Sequence, residues 1–368
     1  MTRKIISLAT IISGSLIATP SPADFQRGYV SMMGSTTVVP FAKAAADRTK
    51  GHAPLIQASG TGGGIKLFCE GHGAEAPDIA MASRAMKAKE KLDCQRNGVS
   101  QILELKIGYD AVILAQSKKS EPWTLTDKEA RMAFAKWLAE RNGPMALNPH
   151  KNWNDVKSSL PGTRIELLGP PTTSATHDAF IDLISDLECK GPPWVPAGAL
   201  EPTADMLRKC RSVREDGVYK EGRENDETHV ERVADTVTPK LGVFGYKMVQ
   251  ENPTKLRAIP INGIEPTYEN ISSRAYLGTR PLYLYVKVNN IGRTPGLSEF
   301  LSEITSEGAW GDSGYLRKAG LITMSASERA TYAEKMKDAG VSPTVASPSS
   351  SGKGATKKPA ASAKPKKK

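Results

Sequence analysis

The chain has 368 residues, 50 Lys plus Arg against 39 Asp plus Glu, and a formal net charge of +11, and that length accommodates two domains with a substantial core. The charge is terminal: seven lysines lie in the closing "KGATKKPAASAKPKKK" and two basic residues, Arg3 and Lys4, in the leader, so the body retains +2 of the +11. That balance gives the folded part no basis for nucleic-acid binding.

In chain order, "MTRK" precedes the apolar "IISLATIISGSLIA" and the small-residue run "SPA". This pattern reads as a secretory signal peptide over 1–23, cleaved near Ala23 and too short to span a bilayer. It implies a periplasmic protein. "RGYVSMMG" then reads as a strand turning at Gly34 into a helix, with Ser35 and Thr36 as N-cap residue types and Pro40 in the first turn. "APLIQASG" is a second strand, followed by the glycine run of "SGTGGGIKLFCEG" and a helix. "PDIAMASR" is a third strand with a helix beyond it. The alternation predicts an open α/β sheet whose ligand site lies outside the carboxyl ends of the strands.

"QILELKIGYDAVILAQ" predicts a strand pair around Gly108 that crosses into a second domain. "LTDKEARMAFAKWLAERNG" predicts one amphipathic helix opened by Thr126 or Asp127, with Ala133, Phe134, Trp137 and Leu138 on its apolar face. "RIELLGPPTTSATHDAFIDLI" repeats strand, polar loop and helix. The Pro-, Gly- and charge-rich stretch 190–228 reads as a loop excursion, "KLGVFGYKMV" and "RPLYLYVKV" as late strands, and 294–324 as a closing helical region. The tail from 344, rich in Ser, Ala, Pro and Lys, lacks the residues to bury a core and suits disorder; its charge fits contact with an anionic envelope surface. Cys69, Cys94, Cys189 and Cys210 suit an oxidising compartment as disulfides. Of three pairings, the local one, Cys69 with Cys94 and Cys189 with Cys210, is favoured. No metal-ligand spacing accompanies them.

Four polar loops follow predicted strands: "GSTT" (34–37), "SGTGGG" (59–64), "ASRA" (82–85) and "TTSATHD" (172–178). Helix starts present unpaired N–H groups and partial positive charge, and small hydroxyl residues and glycine let such donors close on one anion. Catalysis finds no support. Ser174, His177 and Asp178 on one turn do not form a relay, no G-x-S-x-G elbow exists, and the P-loop spacing fails at "SGTGGGIK".

At these loops the sequence resembles the periplasmic phosphate-binding proteins of phosphate-specific ABC transporters. "GSTTVVPFAKAAA", "SGTGGGIKLF", "DIAMASRAMKAKE" and "TTSATHDAF" match the family's ligand loops in order, and "NGIEPTYENISSRAYLGTRPLYLYV" its closing signature. The resemblance spans roughly 29–324. It implies a type II periplasmic-binding-protein fold, two α/β lobes over 24–107 plus 283–343 and over 108–282, hinged near Gly108 and Pro281. It implies one bound phosphate, no catalysis and no cofactor, delivery to an ABC permease, and a monomer. The matched ligand positions are Ser35, Thr36, Thr37, Thr61, Gly62, Ser83, Arg84, Ser174, Ala175 and Thr176. Two positions depart from the family. Pro170 or Pro171 stands where many members carry an Arg, and Arg84 where many carry an Asp that accepts a proton from phosphate; sulfate or another oxyanion is therefore an alternative ligand. A second reading keeps the fold and makes the chain an envelope protein for oxyanion sensing or adhesion, uncoupled from transport.

Overall fold

A computed structural model describes residues 28–341 apart from 50, 52, 74, 140–144, 172–173, 186–188, 200 and 223–226. The leader over 1–23, the tail from 344, and Thr172 and Thr173 of the fourth loop lie outside the described residues. Three strand–helix units open the fold: β1 (Ser31–Gly34) with α1 (Val39–Ala46), β2 (Leu55–Ala58) with α2 (Gly60–Phe68), and β3 (Ile79–Ala82) with α3 (Ala88–Arg96). β1 lies between the other two, parallel to both, with Gly34 opposite Ala58 and Met81. The three carboxyl ends therefore finish level, and the first three polar loops emerge side by side. β3, "IAMA", is buried throughout, as befits an interior strand covered on both faces.

β4 (Ile102–Ser117) is a single strand of 16 residues, not the predicted pair. Its first part, to Ala111, pairs with β11 (Thr279–Lys287); Val112 to Ala115 pair with β9 (Leu241–Gly245) and the end with β10 (Leu256–Ala258). Gly108 interrupts the regularity without ending the strand: its φ is +155°, and the register with β11 shifts beside it, at Leu282/Tyr283. A Cβ on Gly108 would stand 2.7 Å from the Ile322 carbonyl oxygen, so only glycine lets that segment cross here. The whole sheet runs β2-β1-β3-β11-β4-β9-β7-β8, with β7 at Leu167–Gly169 and β8 at Tyr219–Glu221. Helices α11 (Leu297–Ile304), α12 (Glu307–Trp310), α13 (Tyr315–Lys318) and α14 (Ala326–Asp338) form the closing helical region.

The predicted helix from Thr126 ends early. Thr126 caps α4 (Asp127–Phe134), accepting from the Glu129 amide, but Trp137 and Leu138 belong to β5 (Trp137–Ala139), paired with β6 (Met145–Leu147). Tertiary pairing overrides helix propensity at this point. The Lys136 amide donates to the Ser212 carbonyl and Ala135 bridges to Val213, which draws the chain into extended form. The 190–228 stretch is more ordered than a loop: it holds α7 (Ala204–Cys210) and contributes β8 to the main sheet. Buried Arg131 on α4 pins it, donating to the carbonyls of Ile184, Cys210 and Trp137, with Trp194 buried beneath. Disulfides join Cys69 to Cys94 and Cys189 to Cys210, the local pairing. The remaining helices are α5 (Trp153–Val156), α6 (Ala175–Ser185), α8 (Glu227–Ala234), α9 (Tyr246–Glu251) and α10 (Tyr268–Ser272).

Beside Gly108, a partly buried ion pair fastens α14 to β4. Lys106 Nζ donates to Glu328 Oε1 at 2.7 Å, and the Tyr109 hydroxyl donates to the same oxygen at 2.6 Å. Burial opposes the charged carboxylate, but these donors outweigh it and hold Glu328 at about 2, below its ordinary 4.5. A carboxyl depressed in the fold stabilises it above the unfolded value, and that contribution is lost as pH falls through the folded one. Glu328→Gln is thus expected to cost about 1–2 kcal/mol near neutral pH, with the gap from wild type shrinking as pH drops from about 5 toward about 2. Urea midpoints across that range check this; a gap that stays constant contradicts it.

Candidate functional site

The first loop leaves its donors unspent. The Ser35 amide donates to the Met81 carbonyl and the Val38 amide to the Ser35 carbonyl, so the chain turns once before α1 begins. Ser35 and Thr36 consequently do not cap that helix. The N-cap position is Val38, without a side-chain cap, and Pro40 sits in the first turn as predicted. Ser35 Oγ and Thr37 Oγ1 are buried and have no hydrogen-bond partner, and among the described residues the Thr36 and Thr37 amides donate to nothing. Buried polar groups are ordinarily paired, so two orphan hydroxyls beside two idle amides leave this loop with donors able to take an acceptor.

The glycine run is not an open loop; it forms the first turns of α2. Ser59 precedes it without a side-chain cap, leaving the first amides of the helix without that partner. Gly64 packs directly on β1: a Cβ there would stand 2.4 Å from Gly34 Cα and 2.7 Å from the Met33 carbonyl oxygen. Thr61 and Ser83 join the second and third loops, with their hydroxyls 3.1 Å apart and the Ser83 amide donating to Thr61 Oγ1 at 3.1 Å.

Arg84 stands over the start of α2, with Nη2 3.9 Å from where a Gly62 Cβ would lie. Its guanidinium grips Glu90 through both Nη atoms, at 2.9 and 2.7 Å, and also reaches the Ala85 carbonyl. The bond to Glu90 raises the Arg84 pKa further. Burial alone would raise Glu90; its bonds from Arg84 and the Lys87 amide prevail, so its carboxyl lies below the ordinary value.

The fourth loop arrives from the other part of the sheet. Buried Ser174 opens α6, and its Oγ accepts from the amides of Thr176 at 3.0 Å and His177 at 3.3 Å. The Ala175 backbone begins that helix. A cleft of about 420 Å³ is lined by Thr36 and Thr37 from the first loop, Thr176 from α6, Asp110 from β4, and Tyr246, Lys247 and Glu251 from α9. The first and fourth loops thus meet across one cavity. Ser35, Thr61, Gly62, Ser83, Arg84, Ser174 and Ala175 are not in its lining; Thr61 and Gly62 lie in the first turn of α2, and Ser83 and Arg84 just beyond the end of β3.

Asp110 escaped sequence reasoning, as did its partner. Arg280 on β11 donates through Nε at 3.1 Å and Nη2 at 2.8 Å to Asp110 Oδ2. The two residues are opposite each other on paired strands, so 170 positions of sequence separation vanish in the fold. The available signal was a lone charge inside each of two apolar strands, "GYDAVILA" and "TRPLYLYV".

Residues 19–308 match the family model of the PBP superfamily domain. The chain belongs to the PBP superfamily. Among curated relatives, Protein SphX of Synechococcus elongatus is 31% identical over 72% of this chain and 69% of its own length. The Phosphate-binding protein PstS of Staphylococcus haemolyticus is 27% identical over 85% of each. Among solved structures, "a possible phosphate binding protein" from Planctomyces limnophilus DSM 3776 superposes with a TM-score of 0.65 at 27% identity, covering 85% of this chain and 99% of that one. An ABC-type phosphate transport receptor from Vibrio cholerae, at 17% identity and a TM-score of 0.57 over 80% of this chain and 99% of its own, shares the fold. The fold is the type II periplasmic-binding-protein architecture. Among the described residues no helix is long and apolar enough to cross a membrane, and no three potential metal ligands cluster.

Proposed function

We propose that this protein is a periplasmic solute-binding protein that captures inorganic phosphate between two lobes and presents it to an ABC-type permease, without catalysing a reaction. The observation that carries the reading is Thr37: a buried hydroxyl without a partner, in a cleft that Thr176 lines from the other side. Relatives and structural neighbours described as phosphate-binding support the choice of anion. In this reading 24–107 plus 283–343 form one lobe and 108–282 the other, and the hinge runs where Tyr109 pairs with Pro281 and Gly108 with Leu282.

The donors are the hydroxyls of Ser35, Thr36 and Thr37, the amides of Thr36 and Thr37, and Thr61 and Gly62 at the start of α2. Ser83 and Arg84 flank them, and Ser174, Ala175 and Thr176 donate from α6. Closure brings the fourth loop of one lobe onto an anion held by the first three loops of the other. Arg84 shares its charge with Glu90, so its contribution is moderated. Arg84→Ala is expected to weaken phosphate binding by about tenfold, and Glu90→Gln, which frees the guanidinium, to tighten it. Titration calorimetry of the mature chain with phosphate checks both. One site per chain is expected for wild type; absence of binding heat and of any thermal shift contradicts the reading, and unchanged affinity in Arg84→Ala takes that residue out of the site.

A further inference from the structure

We infer that residues 319–323 form a strap along the cleft, caught by Tyr268, that limits how far the two proposed lobes part; the inference rests on the two-lobe reading above. The strap leaves α13 and meets the other proposed lobe at three points. At Gly320, whose φ is +107°, an added Cβ would stand 2.9 Å from Lys247 Cδ, so the lysine stem of α9 lies directly on the strap. At Ile322 the amide donates to the Tyr109 carbonyl at 2.9 Å and the carbonyl accepts from the Tyr109 amide at 2.8 Å. At Thr323 the strap meets Tyr268 of α10.

The catch is a directed chain of hydrogen bonds. The Tyr268 hydroxyl accepts from the Thr323 amide at 3.2 Å and also bonds Thr323 Oγ1. That Oγ1 donates to Asp312 Oδ1 at 3.3 Å, and buried Arg329 donates to the same oxygen at 3.1 Å. With Thr323 Oγ1 donating onward, the phenol is the donor in its bond to it. Each bond polarises the next, down to a carboxylate held by a guanidinium. The ring is held as well. The Arg317 guanidinium lies 4.6 Å from its centroid, and Arg317 Nη1 donates to the Asp312 carbonyl at 2.8 Å. Tyr268 belongs to one proposed lobe and Arg317, Thr323, Asp312 and Arg329 to the other.

The position of the strap sets the sign of its effect. Ala319 and Gly320 line the cleft together with Lys247 and with Thr36 and Thr37 of the first loop. The strap thus lies on the cleft side of the proposed hinge at Gly108, and parting the lobes draws Lys247 away from Gly320 and Tyr268 away from Thr323. These contacts oppose opening. Apparent affinity scales with the fraction of molecules in the binding-competent arrangement, so a restraint on opening raises it. Tyr268 and Thr323 are not in the cleft lining. They are positioning residues, acting on the anion only through the lobes.

The test uses Tyr268→Phe, which keeps the ring over Arg317 and removes the hydroxyl, and Thr323→Val, which removes the hydroxyl on the other side. Tyr315→Phe is the control, because the Tyr315 hydroxyl donates to Glu303 Oε1 at 2.9 Å within one proposed lobe. Small-angle scattering of the mature chain is expected to give both test variants a larger radius of gyration than wild type without phosphate, and the wild-type radius at saturating phosphate. Calorimetry is expected to show phosphate bound about three- to tenfold more weakly by both, and as in wild type by the control. Ligand-free melting curves establish folding; where Tyr268→Phe does not fold, Thr323→Val decides. An unchanged ligand-free radius or an unchanged affinity in the folded variants overturns the inference and leaves phosphate binding standing. Equal changes in Tyr315→Phe overturn it too, as they would mark general loosening. A wild-type chain that binds no phosphate overturns the function instead, and the ligand-free radius alone then decides the strap.

Discussion

Gly64→Ala should destabilise the protein by about 2–3 kcal/mol, whereas Gly63→Ala, one position earlier, should leave it unchanged or stabilise it by up to about 1 kcal/mol. The same methyl group is added to the same helix, and only its direction differs. At Gly64 the new Cβ meets β1 backbone at 2.4, 2.7 and 2.9 Å, and backbone cannot step aside as a side-chain tip can. Helix α2 must lift from the strand, carrying Thr61 and Gly62 with it. At Gly63 the Cβ meets only the Ser59 side chain, at 3.6 and 3.7 Å, which is ordinary contact. There the substitution removes the entropic cost of glycine inside a helix. Denaturant midpoints measure the stabilities, and phosphate titration should show Gly64→Ala weakened by more than about tenfold through the displaced loop. Equal destabilisation of both variants would contradict the close helix–strand approach.

The second large effect separates binding from stability. Replacing Ser35 with Ala and Thr37 with Val removes two buried hydroxyls that have no partner in the unliganded protein. An unpaired buried polar group costs about 1–3 kcal/mol, so the double variant should be as stable as wild type or more so without ligand. Phosphate binding should fall by about a hundredfold, since each hydroxyl loses a bond to a charged acceptor. Ordinary structural hydroxyls give the reverse, with lower stability and intact binding. The variant therefore asks whether the unsatisfied groups are a tax the fold tolerates for the sake of a ligand.

Strand–loop–helix grammar was the legible part of this sequence. "YVSMMGSTT", "LIQASGTGGG" and "DIAMASRA" each carry a strand of apolar residues ending in small polar ones, and each produced a parallel strand with its loop at one edge of the sheet. The local disulfide pairing also followed from spacing. What the sequence concealed was set by contacts distant in the chain. Trp137 and Leu138 continue a helical period, yet pairing of the adjacent Ala135–Lys136 with 212–213 turns them into a strand. β8, "YKE", is a polar edge strand of three residues with no apolar pattern to betray it. At the site the glycines signalled a close approach, and at Gly64 it is one of helix to strand. Asp110 and Arg280 could not be read as a pair, because nothing local links them until β4 lies beside β11.

A crystal structure of the mature chain grown in phosphate tests the central claim most directly. The account predicts one phosphate in the cleft, with Thr37 Oγ1 and a donor of Thr176 each within about 2.6–3.2 Å of its oxygens. An anion held from one side of the cleft alone, or a cleft that stays empty at saturating phosphate, would contradict it.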